Sequence, residues 1–252
     1  MKIKSIANAV SWNVTKALRY IQNIDEAFWK PKEHIDLDAL FEKRGNASDF
    51  YFVQIGANDG VTGDSLRPFI TRLQWKGVLV EPVPYIYKRL VENYEGYRGL
   101  HFENSAIGIE DGYQNFYALS EFDLQNNRLF TDYNKYKIDQ LGSFNKETLL
   151  KHSFMHPQFE KLIEEVKVPT LTFNSLLNKY NIKKIDLLQI DAEGYDFELL
   201  NSIKFDKVIP GILVFEHQHL TKNDYKTSVE KLRKVGYKFY VNNWDTVCIL
   251  RT

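Results

Sequence analysis

Two groups of residues carry the side chains with chemistry to offer. The first is Phe52-Val53-Gln54-Ile55-Gly56-Ala57-Asn58-Asp59-Gly60, an apolar run of β-forming residues that ends in a turn of small ones. A helix can start near Asp64-Ser65, where either side chain can cap the first free amides. A strand, a glycine turn and a helix in succession form the unit on which nucleotide-bearing cofactors are held. In that reading Gly56 and Gly60 keep Cβ atoms out of a ligand's way, although such turns also occur where nothing binds. About twenty residues further on, Val78-Leu79-Val80-Glu81-Pro82 ends a second buried strand in one carboxylate, placed to accept both hydroxyls of a ribose.

The second group is Asp191, Glu193, Glu216, His217 and His219, drawn from the tips of two strands expected to be neighbours. His217 or His219 can act as a general base oriented by a carboxylate, with Asp191 and Glu193 at hand. Alternatively Asp191, Glu216 and His217 can bind a divalent cation, manganese or magnesium, that lowers the pKa of a bound hydroxyl. Side chains of these types also cap helices or pair on a surface, and the residues alone leave the three readings open.

The elements that must position these groups follow a βα alternation. Pro84 can occupy the first turn of a helix running to about Asn93, and Leu100 to Ile107 reads as a third strand and its exit. Ile185 to Ile190 and Gly211 to Phe215 are buried strands, each followed by a helix. Tyr237 to Val241 and Thr246 to Leu250 are separated by only Asn242-Asn243-Trp244-Asp245, so they form a hairpin. One strand therefore runs against its neighbours. A dinucleotide dehydrogenase domain more often continues with parallel strands.

At 252 residues, with 44% hydrophobic and 14% aromatic content, the chain suits one large decorated domain better than two. Thirty-three basic and thirty-three acidic side chains cancel, which speaks against a nucleic-acid partner. A single cysteine, Cys248, excludes an internal disulfide and fits a reducing, cytoplasmic setting. Residues 1–47 read as a helical extension and 48–252 as the sheet domain. Within the extension, Ile3, Ile6, Ala7, Val10, Val14, Ala17, Leu18 and Ile21 form one apolar stripe opposite Lys2, Lys4, Lys16 and Arg19. Such a helix packs on its own domain or a second subunit, or lies on a membrane surface; the packed form, including a homo-oligomer, is the reading preferred. A second short helix is expected over Leu37 to Arg44, with Gly45 as its stop.

Residues 109–170 break the alternation. Tyr113 to Leu119 looks like an added strand, and Lys146 to Glu165 reads as helix interrupted at His156-Pro157. An insertion of this length is read as a lid or acceptor-binding region. Its aromatic residues, among them Phe130, Tyr133, Tyr136 and Phe144, suit the C–H faces of sugars. Arg128, Lys135 and Lys137 can meet a phosphate, or form an ordinary solvated face.

Five motifs occur in order: Val53 to Gly60, Glu81-Pro82-Val83-Pro84, Asn104-Ser105-Ala106-Ile107, Val168-Pro169-Thr170-Leu171-Thr172, and Ile185 to Gly194. Together they resemble the FkbM family of S-adenosylmethionine-dependent methyltransferases over roughly residues 50–250. The resemblance implies an α/β class I methyltransferase, Rossmann-like, fold. Its seven-stranded sheet is mostly parallel, with one antiparallel strand from the C-terminal hairpin and helices on both faces. It implies that Gln54, Gly56, Ala57, Asn58 and Gly60 line the methionine and ribose part of the cofactor. Glu81, with Pro82, should hold the ribose, Ser105 and Ala106 should border the adenine, and Asp191 should lie beside the cofactor. The implied reaction is O-methylation of a sugar hydroxyl, nucleotide-linked or glycan-bound, during surface polysaccharide or capsule synthesis. This chain departs from the family pattern at Gln54, usually an acid, and at Asn174, Gln189 and Asp196, where Asp, Lys and Glu are common. Other readings are a methyltransferase for another small molecule, a nicotinamide-dependent oxidoreductase using the same turn and Glu81, and a non-catalytic scaffold that keeps the cofactor fold.

Overall fold

A computed structural model describes residues 31, 33–126, 140–155 and 157–251. The expected helix over residues 2–23, the basic and aromatic stretch from Arg128 to Lys137, and His156 lie outside the described residues.

The main sheet has seven strands: β1 (Tyr51–Ile55), β2 (Lys76–Val80), β3 (Leu100–Glu103), β8 (Leu187–Ile190), β9 (Ile212–Glu216), β10 (Tyr237–Asn242) and β11 (Asp245–Leu250). Their spatial order is β10-β11-β9-β8-β1-β2-β3. All neighbours are parallel except at β11, which runs antiparallel to both β9 and β10, as the tight hairpin requires.

Both faces of this sheet are covered, and the strands show it in their side-chain period of two. Val53, Ile55, Val78, Val80, Leu188, Ile190, Leu213 and Phe215 face one core. It is closed by α7 (Phe173–Lys179), α8 (Asp196–Ser202) and α9 (Lys222–Val235). Phe52, Leu79, Leu187, Ile212 and Val214 face the other, closed by α1 (Leu37–Arg44), α2 (Arg67–Leu73) and α3 (Pro84–Asn93). Trp75 anchors that second layer: its Nε1 donates to the Gly45 carbonyl at 2.8 Å, and its ring packs against Phe41, Phe50, Phe52 and Phe69.

The segment 109–170 adds a second sheet. That sheet joins β4 (Ala106–Gly108) to β5 (Gly112–Leu119), β6 (Gly142–Ser143) and β7 (Ile163–Thr172) in the order β4-β7-β5-β6, with α4 (Glu121–Asn126) following β5. β5 is the added strand the sequence suggested. The stretch expected to be helical from Lys146 to Glu165 is broken instead into α5 (Lys146–Leu150), a 3-10 turn (Ser153–Met155) and α6 (Phe159–Leu162). β7 begins at Ile163 because its edge pairs residue for residue with β5, from Ile163 opposite Leu119 to Thr170 opposite Gly112. A long antiparallel partner outweighs helix propensity here.

One further boundary differs from expectation. The helix after the glycine turn starts at Arg67, not near Asp64, because the Asp64 carboxylate accepts from Leu66 N at 2.8 Å and from Gln54 Nε2 at 3.2 Å. Helix α7 starts at Phe173, capped by Thr172, whose Oγ1 accepts from Ser175 N at 3.1 Å. Among the described residues, no helix is long and apolar enough to cross a membrane. Trp75→Ala should cost about 3–5 kcal/mol of stability, since it removes a buried aromatic and its hydrogen bond; the midpoint of urea unfolding measures it.

Candidate active site

The C-terminal tips of β1, β2 and β8 open into a cavity of about 960 Å³, counting its mouth. Open α/β sheets bind ligands at this edge. The chain leaves β1 through Gly56 and Ala57, whose amides donate to the Val80 carbonyl at 3.1 and 2.9 Å, and so the turn folds toward β2. Gly56 has φ +79, and a Cβ there would lie 1.8 Å from the Asp191 carbonyl oxygen. Its small size lets β1 and β8 approach each other, and Gly56 itself lines the cavity. Gly60, φ +68, does not line the cavity. A Cβ on it would meet the rings and methyls of Tyr94 and Leu90 on α3. The expectation that Gly60 clears space for a cofactor is thus corrected: it is a packing glycine at a left-handed turn.

Of the other residues expected at a cofactor, Gln54, Ala57, Asn58, Glu81, Pro82, Ser105, Ala106 and Asp191 all line the cavity. Glu81 is buried and held by two amides, Asn58 N to one oxygen at 3.1 Å and Val83 N to the other at 2.8 Å. Burial pushes its carboxyl up to about 7, against those two hydrogen bonds. Each carboxylate oxygen keeps a free lone pair for a further donor. Gln54 gives its amide hydrogens to Asp64 and leaves Oε1 buried without a partner. Ser105 Oγ is likewise buried and unpartnered, so it caps no helix. Buried acceptors and hydroxyls rarely stay unpaired without a ligand to meet them.

The second group lies beside this cavity. Asp191 exposes its side chain to this space, and the surrounding protein mass raises its carboxyl to about 6. Burial also raises Glu216 to about 9, with Asp191 and Glu193 adding to the effect, and holds Glu193 and Asp196 well above the usual carboxylate range. His219 Nε2 stands 3.7 Å from Glu193 Oε2 and 3.6 Å from Glu216 Oε2. Burial, with Lys151 and His152 nearby, lowers His219 to about 4. The imidazole is therefore neutral at neutral pH, and its two carboxylate contacts are not ion pairs.

His217 is elsewhere. It follows Glu216 by one residue, and the strand's period of two turns it to the opposite face, toward α9. There its Nδ1 pairs with Thr246 Oγ1 at 3.0 Å, its ring meets Tyr225 edge-on, and it is 2% exposed. It does not line the cavity. The structure thus removes His217 as a base at this cavity. It does not bring Asp191, Glu216 and His217 together as a cation site either.

The methyltransferase FkbM domain model matches residues 54–239. The chain belongs to the FkbM family of S-adenosylmethionine-dependent methyltransferases. No curated protein matches it at a significant level. Among solved structures, methyltransferase FkbM from Methylobacillus flagellatus KT is similar at 12% identity and a TM-score of 0.47, over 86% of this chain and 48% of that one. This chain thus spans about half the length of that protein. Precorrin-6y C5,15-methyltransferase from Geobacter metallireducens GS-15 is similar at 10% identity and a TM-score of 0.42, over 88% of this chain and 93% of that one. The Methanococcus jannaschii fibrillarin pre-rRNA processing protein is similar at 13% identity and a TM-score of 0.40, over 88% and 76%. The family assignment stands on the sequence match alone.

In this FkbM chain three of the four departures from the family pattern lie in or near the cavity. Gln54 and Gln189 line it, Asp196 is buried behind Asp191, and Asn174 on α7 keeps Oδ1 buried without a partner. Reading the sequence missed several contributors. Asp64 looked like a helix cap but lines the cavity, where it holds Gln54 in place. Gln140 reaches the cavity from the added sheet region, alongside Phe144, one of the insertion aromatics expected at an acceptor, and His152 comes to the acid cluster from beyond α5. None of these sits in a motif, and the contacts are long-range, so only folding brings them together. His217→Ala should lower stability by about 1–3 kcal/mol by leaving Thr246 short of a partner, while His219→Ala shifts the urea midpoint less.

Proposed function

We propose that the protein transfers the methyl group of S-adenosylmethionine to a hydroxyl oxygen of a sugar. The observation that carries this is a pair of polar groups in one cavity that can each accept a further hydrogen bond. The bare Gln54 Oε1 suits the cofactor's ammonium, and the Glu81 carboxylate, fixed by two amides, suits the ribose diol. Ser105 Oγ is available to the adenine. The residues present therefore fit the cofactor. When bound, it supplies an activated methyl group on a positively charged sulfur. Displacement requires an acceptor oxygen in line with the departing sulfur, and a sugar hydroxyl needs its proton drawn off. Asp191, which lines the cavity and is ionised at neutral pH, and the neutral His219 beside it suit that task.

A carbohydrate acceptor is supported by aromatic surface around the site. Phe116 and Phe144 form part of the cavity wall, and Phe154, 76% exposed, lies with its ring centroid 6.3 Å from that of His152. Flat apolar rings suit the C–H faces of sugars. The balanced net charge of the chain fits a sugar or nucleotide-sugar acceptor better than a nucleic acid. The surface-polysaccharide setting comes from the family resemblance.

The test is incubation with S-adenosylmethionine and a panel of free, nucleotide-linked and polymeric sugars. Formation of S-adenosylhomocysteine together with a methyl ether, located by mass spectrometry, is the expected result. Methylation confined to carbon or nitrogen acceptors would overturn it. Glu81 also predicts a pH dependence. Ribose hydroxyls donate to the ionised carboxylate, which forms above about pH 7. S-adenosylhomocysteine affinity should therefore rise several-fold from about pH 6 to about pH 8. In Glu81→Gln it should be weaker and nearly flat with pH, as read by calorimetry.

A further inference from the structure

The edge of the cavity holds a group of ligand atoms that no hydrogen bond accounts for. His152, Glu193 and His219 each place one such atom within 4.8 Å of the other two. Both ring nitrogens of His152 are buried without a partner. His219 Nε2 stands 3.7 Å from Glu193 Oε2 and 3.6 Å from Glu216 Oε2, and Glu216 Oε2 is itself buried and unpartnered. Those separations are too long for hydrogen bonds. They are close to the edge of a coordination tetrahedron, about 3.4 Å for metal–ligand bonds of about 2.1 Å. His219 and Glu193 thus keep close to the spacing that an ion between them would set, and His152 places a ring nitrogen within 4.8 Å of both.

The backbone is shaped for this convergence. Glu193 adopts φ +45, a left-handed conformation unfavourable for a residue with a Cβ, and its carbonyl accepts from Ser143 Oγ at 2.8 Å. The next residue, Gly194, lets two other elements close in. A Cβ there would sit 3.1 Å from Thr148 Oγ1 on α5 and 3.5 Å from His219 Cβ. Segment 148–152, the β8 tip and the β9 tip meet at that glycine, and each brings one ligand.

We propose that His152, Glu193 and His219 bind a divalent transition-metal ion beside the cofactor cavity, with an open coordination position for the acceptor hydroxyl. Two imidazoles and one carboxylate favour zinc over magnesium, which prefers an all-oxygen shell. Glu216 stands 3.6 Å from His219, where a bound cation favours its ionised form. Glu193 lines the cavity as well, so the open position faces the space where an acceptor sits. The bound hydroxyl is acidified and its proton leaves to water. Its oxygen then forms the bond to the methyl carbon while the sulfur departs with the electrons of the broken bond. The last step rests on the methyl-transfer reading; ion binding does not.

The experiment is titration of the chelator-treated full chain with zinc and, separately, with cobalt, whose visible spectrum reports coordination. One saturable site per chain, with the absorption bands of a four- or five-coordinate ion, is expected, and magnesium should bind at least tenfold more weakly. His219→Gln, Glu193→Gln and His152→Ala should each weaken zinc at least tenfold and remove the cobalt bands. His152→Ala changes a half-buried turn residue, so it keeps the test open if the other two misfold. Absence of saturable binding, or binding unchanged in all three variants, would overturn the proposal. Glu81→Ala should lose S-adenosylhomocysteine binding and keep the metal. If the wild type binds metal but not S-adenosylhomocysteine, the methyl-transfer reading fails and the ion site stands.

Discussion

The close approach of β1 and β8 is the constraint on which the site depends. At the point where both strands end, the Asp191 carbonyl occupies the place a Cβ on residue 56 would need, so only glycine fits there. Because of that contact, the turn that bends toward β2 and the acidic tip of β8 share one crevice. Glu81, two amides of the turn region and the bare carbonyl of Gln54 then face the same space as Asp191 and Glu193. A wider spacing of the two strands would leave a cofactor turn and a polar cluster with nothing to join them.

The polar cluster is costly to assemble. Asp191, Glu193, Asp196, Glu216 and Asp245 all have their carboxyls raised, burial being the first cause in each case and neighbouring carboxylates adding to it. Burying so many acids together without a cation opposes folding. The surrounding framework supplies the opposing free energy: two apolar layers on a sheet whose central strands are covered on both faces, and the Trp75 contacts that hold α1 and α2 to it. Strain at Glu193 and unpaired atoms on His152 and Glu216 are concentrated at this one edge, as is common where structure is spent on function.

The parts of the site that could be read in advance are those set by short-range rules. A strand followed by Gly56 and a second strand ending at Glu81 follow from period and turn chemistry, and so does the final hairpin from its four-residue connection. The reading failed where a residue's neighbour is far away in the chain. Gly60 answers to Tyr94 and Leu90 on α3, and Ile163 to Glu165 join a strand because β5 lies beside them. His217 and His219 look alike in sequence. One packs against Tyr225 and Thr246, and the other meets Glu193 and Glu216.

The sequence by itself determined the layered α/β architecture, the family, and the turn and acid that line the cavity, because these are written in local periodicity and in residues a few positions apart. Only the tertiary structure decided which histidine joins the acids beside the cavity, which glycine is there for packing, and that His152 meets the tips of β8 and β9. Those outcomes depend on strand facing and on contacts between segments tens of residues apart, where each side chain's role is set by what packing places opposite it.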